Sequence, residues 1–282
     1  MVVGVVALDP SRASFTSDYR DLAAVAAARG IPALRVTDVN ASATVAQLRV
    51  WAPDVMFVLG WPQLVHREAR DVPRLGAIGT HPTLLPEHRG RHPLIWALVE
   101  GRTRGGLTFF RLADGADSGD VVWQRSFDIG ILDDAGDLYR RVEALERAGI
   151  AELVPALESG TLTSRPQDAT RASYRRRRRE ADGLIDWSAP TLVSYNLIRA
   201  LARPYPGAHT YHRGRKVIVW RSLLPVASAP PSALGAIAGT VIAKVAGELH
   251  VRTGDGHLRL VEIETGGATA IEVGDQLGDP PL

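Results

Sequence analysis

Three histidines fall within one short stretch, His81-Pro82-Thr83-Leu84-Leu85-Pro86-Glu87-His88-Arg89-Gly90-Arg91-His92-Pro93. An acidic turn follows further along, Asp114-Gly115-Ala116-Asp117-Ser118-Gly119-Asp120. An imidazole changes charge near neutral pH, and a neighbouring carboxylate stabilises its charged form and can set its tautomer. His81 and Asp117 are therefore a candidate acid/base pair, provided the fold brings them together. His88 and His92, four residues apart, would suit a metal pair with His81 and Asp117. Gly90 and Pro93 argue against one helix carrying both, so the reading is that no metal is bound.

The elements around these residues decide whether they can meet. Apolar runs at 2–8, 32–36, 55–59 and 76–80 read as strands, and the stretches 18–29 and 42–51 between them read as helices. This alternation predicts an α/β fold, an open and mostly parallel Rossmann-like sheet with helices on both faces. Ligands in such sheets bind beyond the C-terminal strand ends, where the loop from Thr80 begins. A helix over 93–99, strands at 106–112 and 121–127, and a long amphipathic helix over 134–157 follow. The polar stretch 159–180, with Pro166 and the run Arg175 to Arg179, reads as a linker. A helix at 192–202 precedes short strands near 209–211, 217–221, 239–245, 248–253 and 258–263. Gly214 and Gly254-Asp255-Gly256 are hairpin signals, and 225–236 reads as a flexible loop. The expected organisation is a catalytic domain with linker over 1–180, a connecting helix over 181–205, and a small C-terminal β-barrel, OB-like, over 206–282.

Composition narrows the chemistry. The chain has 282 residues, 45% of them apolar, and a net charge of +2. No cysteine is present, which excludes thiolate nucleophiles, thiolate metal sites and disulfides. No apolar run reaches the roughly 18 residues of a membrane-spanning helix, and the apolar start lacks a basic leader, so a cytoplasmic protein with no membrane partner is expected. The loop after the first strand, Asp9 to Ser14, carries neither a dinucleotide-binding nor a P-loop glycine pattern.

The His81 segment and the Asp117 turn resemble the signature of the folate-dependent formyltransferases. The match lies in His81, Leu84-Leu85-Pro86, Arg89-Gly90 and Asp114-Gly115-Ala116-Asp117-Ser118-Gly119. It extends to Gly60-Trp61, to Leu94-Ile95-Trp96-Ala97-Leu98, and to Arg199-Ala200-Leu201 with Pro204-Tyr205-Pro206-Gly207-Ala208. The resemblance implies that His81 and Asp117 are catalytic and that 10-formyltetrahydrofolate is the formyl donor. It implies a pterin pocket built from Leu84, Leu85, Pro86, His88, Arg89 and Gly90, and from Ala113, Asp114, Gly115, Ala116 and Asp120. Trp61, Thr80, Arg91, His92 and Arg175 are the acceptor-side candidates.

One position departs from the family pattern. The family carries a catalytic Asn two residues before the His; here Gly79 stands there. Losing one such donor costs on the order of 3 kcal/mol elsewhere. The segments Ile78-Gly79-Thr80-His81-Pro82 and Arg89-Gly90-Arg91-His92-Pro93 resemble a subset of the sugar N-formyltransferase-like proteins, which points to compensation by another donor such as His88, His92 or Thr83. The acceptor implied is a nucleotide-linked amino sugar, with the Arg175 run serving its diphosphate. Methionyl-tRNA is the alternative acceptor, disfavoured by the near-neutral charge. A 10-formyltetrahydrofolate hydrolase and a degenerate binding protein are further alternatives. The C-terminal module offers a surface for a homodimer.

Overall fold

The computed structural model describes residues 1–15, 19–225, 235–267 and 270–278. The chain divides into two compact units. One comprises Met1–Pro93, Gly105–Phe127 and Arg141–Arg176; the other comprises Leu94–Arg104, Asp128–Arg140 and Arg177–Leu282.

The elements in chain order begin with β1 (Val5–Leu8), α1 (Leu22–Ala27), β2 (Ala33–Val36), α2 (Ser42–Trp51) and β3 (Met56–Val58). Next come α3 (Arg67–Arg70), β4 (Ala77–His81), β5 (Arg89–Gly90), α4 (Pro93–Val99), β6 (Arg104–Arg111) and β7 (Val121–Asp128). Then follow α5 (Ala135–Glu158), β8 (Tyr174–Arg175), α6 (Thr191–Ala200), β9 (Ala208–His212) and β10 (Arg215–Leu223). Strands β11 (Val241–Val245), β12 (Glu248–Arg252), β13 (His257–Glu264) and β14 (Leu277–Gly278) complete the chain.

In the first unit β1 pairs parallel with β2, and β3 parallel with β4, as the alternating pattern predicts. The sheet order is β3-β4-β6-β7, and β6 runs antiparallel to β4, so the sheet is mixed. Helix α1 starts later than expected because Asp21 caps it, accepting a hydrogen bond from the Ala24 N–H; the expected start, Asp18, lies outside the described residues. Helix α2 buries Thr44, Val45 and Leu48. Val45 and Leu48 form a cluster with Val39, Val65 and Ala69, against which Val6, Met56, Val58 and Trp61 pack. Each aliphatic side chain so buried stabilises the unit by about 1.5–3 kcal/mol. Strand β4 is buried on both faces, as a central strand should be.

The stretch 159–180 carries the chain from the first unit to the second at Arg176–Arg177, and its earlier part is tied to the first unit. Arg165 bridges to Val121, and β8 pairs parallel with β5 through Arg89↔Tyr174 and Gly90↔Arg175. The Gln167 and Ser173 side chains bond to the backbone of the first unit, so this surface segment is held without a hydrophobic period.

In the second unit, helix α6 receives its cap from the β12–β13 turn, where Asp255 accepts from the Thr191 N–H. Buried Arg199 donates to the carbonyls of Gly130 and Asp133. The strands follow the order β11-β12-β13-β10-β9-β14. An antiparallel bridge, Thr240↔Gln276, joins the two edges and closes the sheet on itself. Val217, Val219, Val241, Val251 and Leu258 fill its interior, each fully buried. Arg213 and Gly214, both at positive φ, make the two-residue turn of the β9–β10 hairpin. Most of the loop expected over 225–236 lies outside the described residues.

Candidate active site

His81 is the last residue of β4 and is 5% exposed. Its Nε2 lies 2.8 Å from the His88 carbonyl oxygen. A carbonyl oxygen only accepts, so Nε2 carries the hydrogen and the lone pair of the neutral ring is on Nδ1. Nδ1 faces the Asp117 Oδ2 at 3.7 Å. That separation allows charge attraction and is too long for a direct hydrogen bond. The tautomer is thus fixed by the backbone of His88, which corrects the expectation that Asp117 sets it.

Asp117 adopts the left-handed backbone conformation, φ 53°, which short polar side chains tolerate better than most. Its Oδ2 accepts a hydrogen bond from the Gly90 N–H at 2.8 Å. Gly90 itself sits at φ 103°, and a Cβ there would fall 2.4 Å from the Arg175 carbonyl oxygen. Only glycine lets β5 approach β8 this closely while aiming its N–H at the carboxylate.

The predicted pterin residues are distributed unevenly. The Leu85 N–H donates to Thr108 Oγ1, its carbonyl accepts from Gln124 Nε2, and its side chain packs with Phe110 and Val121. Arg89 donates to Gln167 Oε1 and to the Tyr174 hydroxyl. Leu85 and Arg89 therefore shape the wall from within. Leu84 packs over Gly106, the Pro86 carbonyl accepts from Ser173 N–H, and the His88 N–H donates to Ser173 Oγ. Ala113, Asp114 and Gly115 are exposed and Ala116 is half-buried. Asp114 is paired with Arg70, whose hydrogen bond lowers the carboxyl's pKa. Asp120 supports the turn, its carbonyl accepting from Arg111 N–H and its carboxylate from Ser164.

On the acceptor side, Thr80 points to the opposite face of β4 and donates to Glu146 Oε1 at 3.1 Å. Burial pushes the Glu146 carboxyl above its ordinary pKa, opposed by the Thr80 bond. Glu146 lines a groove of about 540 Å³ with Leu59, Glu143, Arg147, Ile150 and Ala151. Trp61 packs on the α2 cluster, and its Nε1 is buried with no hydrogen-bond partner among the described residues. Arg91 is tied to the Pro62 carbonyl at 2.8 Å. His92 stands at φ 55° beside it in sequence, and Arg175 is held in β8 opposite Gly90. Arg176 also belongs to the first unit, and Arg177 to Arg179 belong to the second, where Arg178 lies over the Trp96 ring.

Gly79 is not an empty place. A Cβ there would lie 2.7 Å from Leu112 Cδ2 and 3.4 Å from Phe110 Cζ. Thr83, an expected substitute donor, gives its hydroxyl hydrogen to the Glu87 carbonyl. No group of three or more His, Cys, Asp or Glu side chains among the described residues is arranged to hold a metal ion. Gln124, Glu146, Gln167, Ser173 and Tyr174 escaped the sequence reading. Gln167, Ser173 and Tyr174 occupy a stretch without motif or period, and the apolar periods that mark the strand of Gln124 and the helix of Glu146 say nothing of what a polar side chain there will meet.

Comparison with known proteins sets this geometry in a family. Residues 13–154 match the family described as formyl transferase, and residues 178–277 match the formyl transferase C-terminal domain. Among solved structures, HypX from Aquifex aeolicus in complex with tetrahydrofolic acid is similar, with a TM-score of 0.69 and 20% identity over 92% of this chain. This chain spans only 43% of that protein's length. The N-formyltransferase from Helicobacter canadensis, solved with folinic acid and dTDP-3-aminofucose, matches at a TM-score of 0.65 and 15% identity. That match covers 94% of this chain and 100% of the other. Methionyl-tRNA formyltransferase from Clostridium thermocellum matches at 0.58 and 17%, over 79% of this chain and 93% of the other. At these identities the likeness is one of fold.

Proposed function

Because the chain belongs to the formyl transferase family, we propose that it transfers a formyl group from 10-formyltetrahydrofolate to the amine of a nucleotide-linked amino sugar, with His81 and Asp117 as the catalytic residues. The observation that carries this reading is the His81–Asp117 pair, a buried imidazole of fixed tautomer whose basic nitrogen faces an anchored carboxylate.

The residues present suit the formyl donor. Ala113, Asp114 and Gly115 are exposed, and the backbone of such a turn offers donors and acceptors that a flat, hydrogen-bonding ring would use. When bound, 10-formyltetrahydrofolate supplies the formyl carbon and keeps its N10, protonated, as the leaving group. Asp117 takes the proton from the amine nitrogen as that nitrogen bonds to the formyl carbon, and that proton passes on to N10 as the bond between the formyl carbon and N10 breaks. Gly90 N–H holds the receiving oxygen in place. His81, with Nε2–H on the His88 carbonyl, turns its basic Nδ1 toward Asp117 and the reacting centre, where it can accept and return a proton. His81 is 5% exposed, which strengthens these charge interactions by excluding water.

An amino-sugar acceptor is supported by the likeness to the Helicobacter canadensis enzyme over essentially the full length of both chains. The likeness to methionyl-tRNA formyltransferase, over a smaller share of this chain, supports the second reading, with methionyl-tRNA as acceptor.

The test measures tetrahydrofolate release from 10-formyltetrahydrofolate with dTDP-3-aminofucose, with methionyl-tRNA, and with no acceptor. Release with the amino sugar alone, and at least about a hundredfold loss in His81→Ala and Asp117→Ala, is the expected result. Release without acceptor would identify a hydrolase. Normal rates in either variant would overturn the assignment of the pair.

A further inference from the structure

We infer that Gln167 is a positioning residue that holds Asp117 in its working conformation. The inference rests on the reading of Asp117 as the proton acceptor. Gln167 uses its whole hydrogen-bonding capacity. Its Nε2 donates to the Asp117 carbonyl at 2.8 Å and to the Gly119 carbonyl at 2.7 Å. Its Oε1 accepts from Arg89 Nε at 3.2 Å and Nη2 at 2.8 Å. Arginine can only donate and a carbonyl can only accept, so these partners leave one orientation for the amide.

The two carbonyls bracket the acidic turn at the point where Asp117 takes φ 53°. A non-glycine residue reaches that region at a cost that its surroundings must offset. On its other side Gln167 grips Arg89, whose chain neighbour Gly90 donates to the Asp117 carboxylate. One side chain therefore spans both ends of the contact that fixes Oδ2, from a segment distant in sequence. The amide touches no atom of the Asp117 carboxylate; it acts through the backbone.

Gln167→Glu separates the two halves of the clamp. The carboxylate still accepts from Arg89, but both N–H donors to the turn are lost and two carbonyls then face an anion. Gln167→Met removes both halves. The measurements are hydrogen exchange at the Gly90 amide, thermal unfolding, and steady-state turnover of 10-formyltetrahydrofolate with dTDP-3-aminofucose and with methionyl-tRNA. In Gln167→Glu, the Gly90 amide exchanges about tenfold faster or more, while the Arg89 and Arg91 amides in the β5–β8 pairing keep their protection. Where turnover is measured, kcat falls by about tenfold and KM for the formyl donor holds. Unchanged exchange at Gly90 in both variants overturns the inference, whatever the turnover. An equal rise at Arg89 and Arg91 also overturns it, since that is general loosening. The functional reading fails separately: if Asp117→Asn turns over normally, Asp117 is no proton acceptor, yet the exchange result still decides whether Gln167 holds it.

Discussion

Restoring an Asn at position 79 is the substitution that family resemblance invites, and the packing predicts that it fails. A Cβ on Gly79 would approach Leu112 Cδ2 to 2.7 Å, against about 3.4 Å for ordinary contact, so the Leu112 tip must move by about 0.7 Å before the amide is placed. Leu112 has little freedom to do so. It packs on the Val39–Val45–Leu48 cluster on one side and on the Leu85–Phe110–Val121 cluster on the other. Forcing atoms into such a place costs about 1–3 kcal/mol. In a chain of this size that lowers the unfolding midpoint by about 2–4 °C per kcal/mol. The assay is thermal unfolding of Gly79→Asn, Leu112→Ala and the double variant, read as a double-mutant cycle. The Asn substitution is expected to cost at least about 1 kcal/mol less when Leu112 is already truncated. A Gly79→Asn variant with the wild-type midpoint, or strictly additive effects, would refute the argument that Leu112 fills the site.

Gly90→Ala combines an unfavourable φ with a Cβ 2.4 Å from the Arg175 carbonyl. It is expected to cost more than about 2 kcal/mol, seen in urea unfolding, and to lower turnover by disturbing Asp117. Burial raises the Glu146 pKa, so the native state binds more protons than the unfolded state from the ordinary carboxylate range up through the raised value. Stability therefore falls across that window as pH rises. Glu146→Gln, which still accepts from Thr80, should raise the melting point at pH 8 and not at pH 4; equal shifts at both would count against the sign.

Much of this architecture was readable from residue order. Helix α2 was visible because Val45 and Leu48 repeat at helical spacing, and β4 because Ala77 and Ile78 run on without polar interruption. The convergence of His81 and Asp117 followed from placing one at a strand end and the other in a neighbouring turn. The tautomer was misread because a backbone carbonyl leaves no mark in a sequence; only the fold places His88 O against Nε2. The attachment of residues 159–176 to the first unit is not legible in the sequence for a related reason. Gln167, Ser173 and Tyr174 are held by side-chain bonds to distant backbone and side-chain groups, and such bonds have no periodicity. The filling of position 79 by Leu112 depends on the β4–β6 register, which pairs Gly79 with Phe110.

The seam at Thr240 and Gln276 gives the tail of the second unit a protective part to play. Residues 274–278 supply the bonds that zip β11 to β14, including Val241 N–H to Asp275 and Leu277 N–H to Gly239. Excising that short ribbon would remove the buried Leu277 side chain and bare the free sides of β9 and β11 at once. Strand margins left open in this way recruit other chains. The shortened protein would be expected to lose stability with Leu277 and solubility with its open margins.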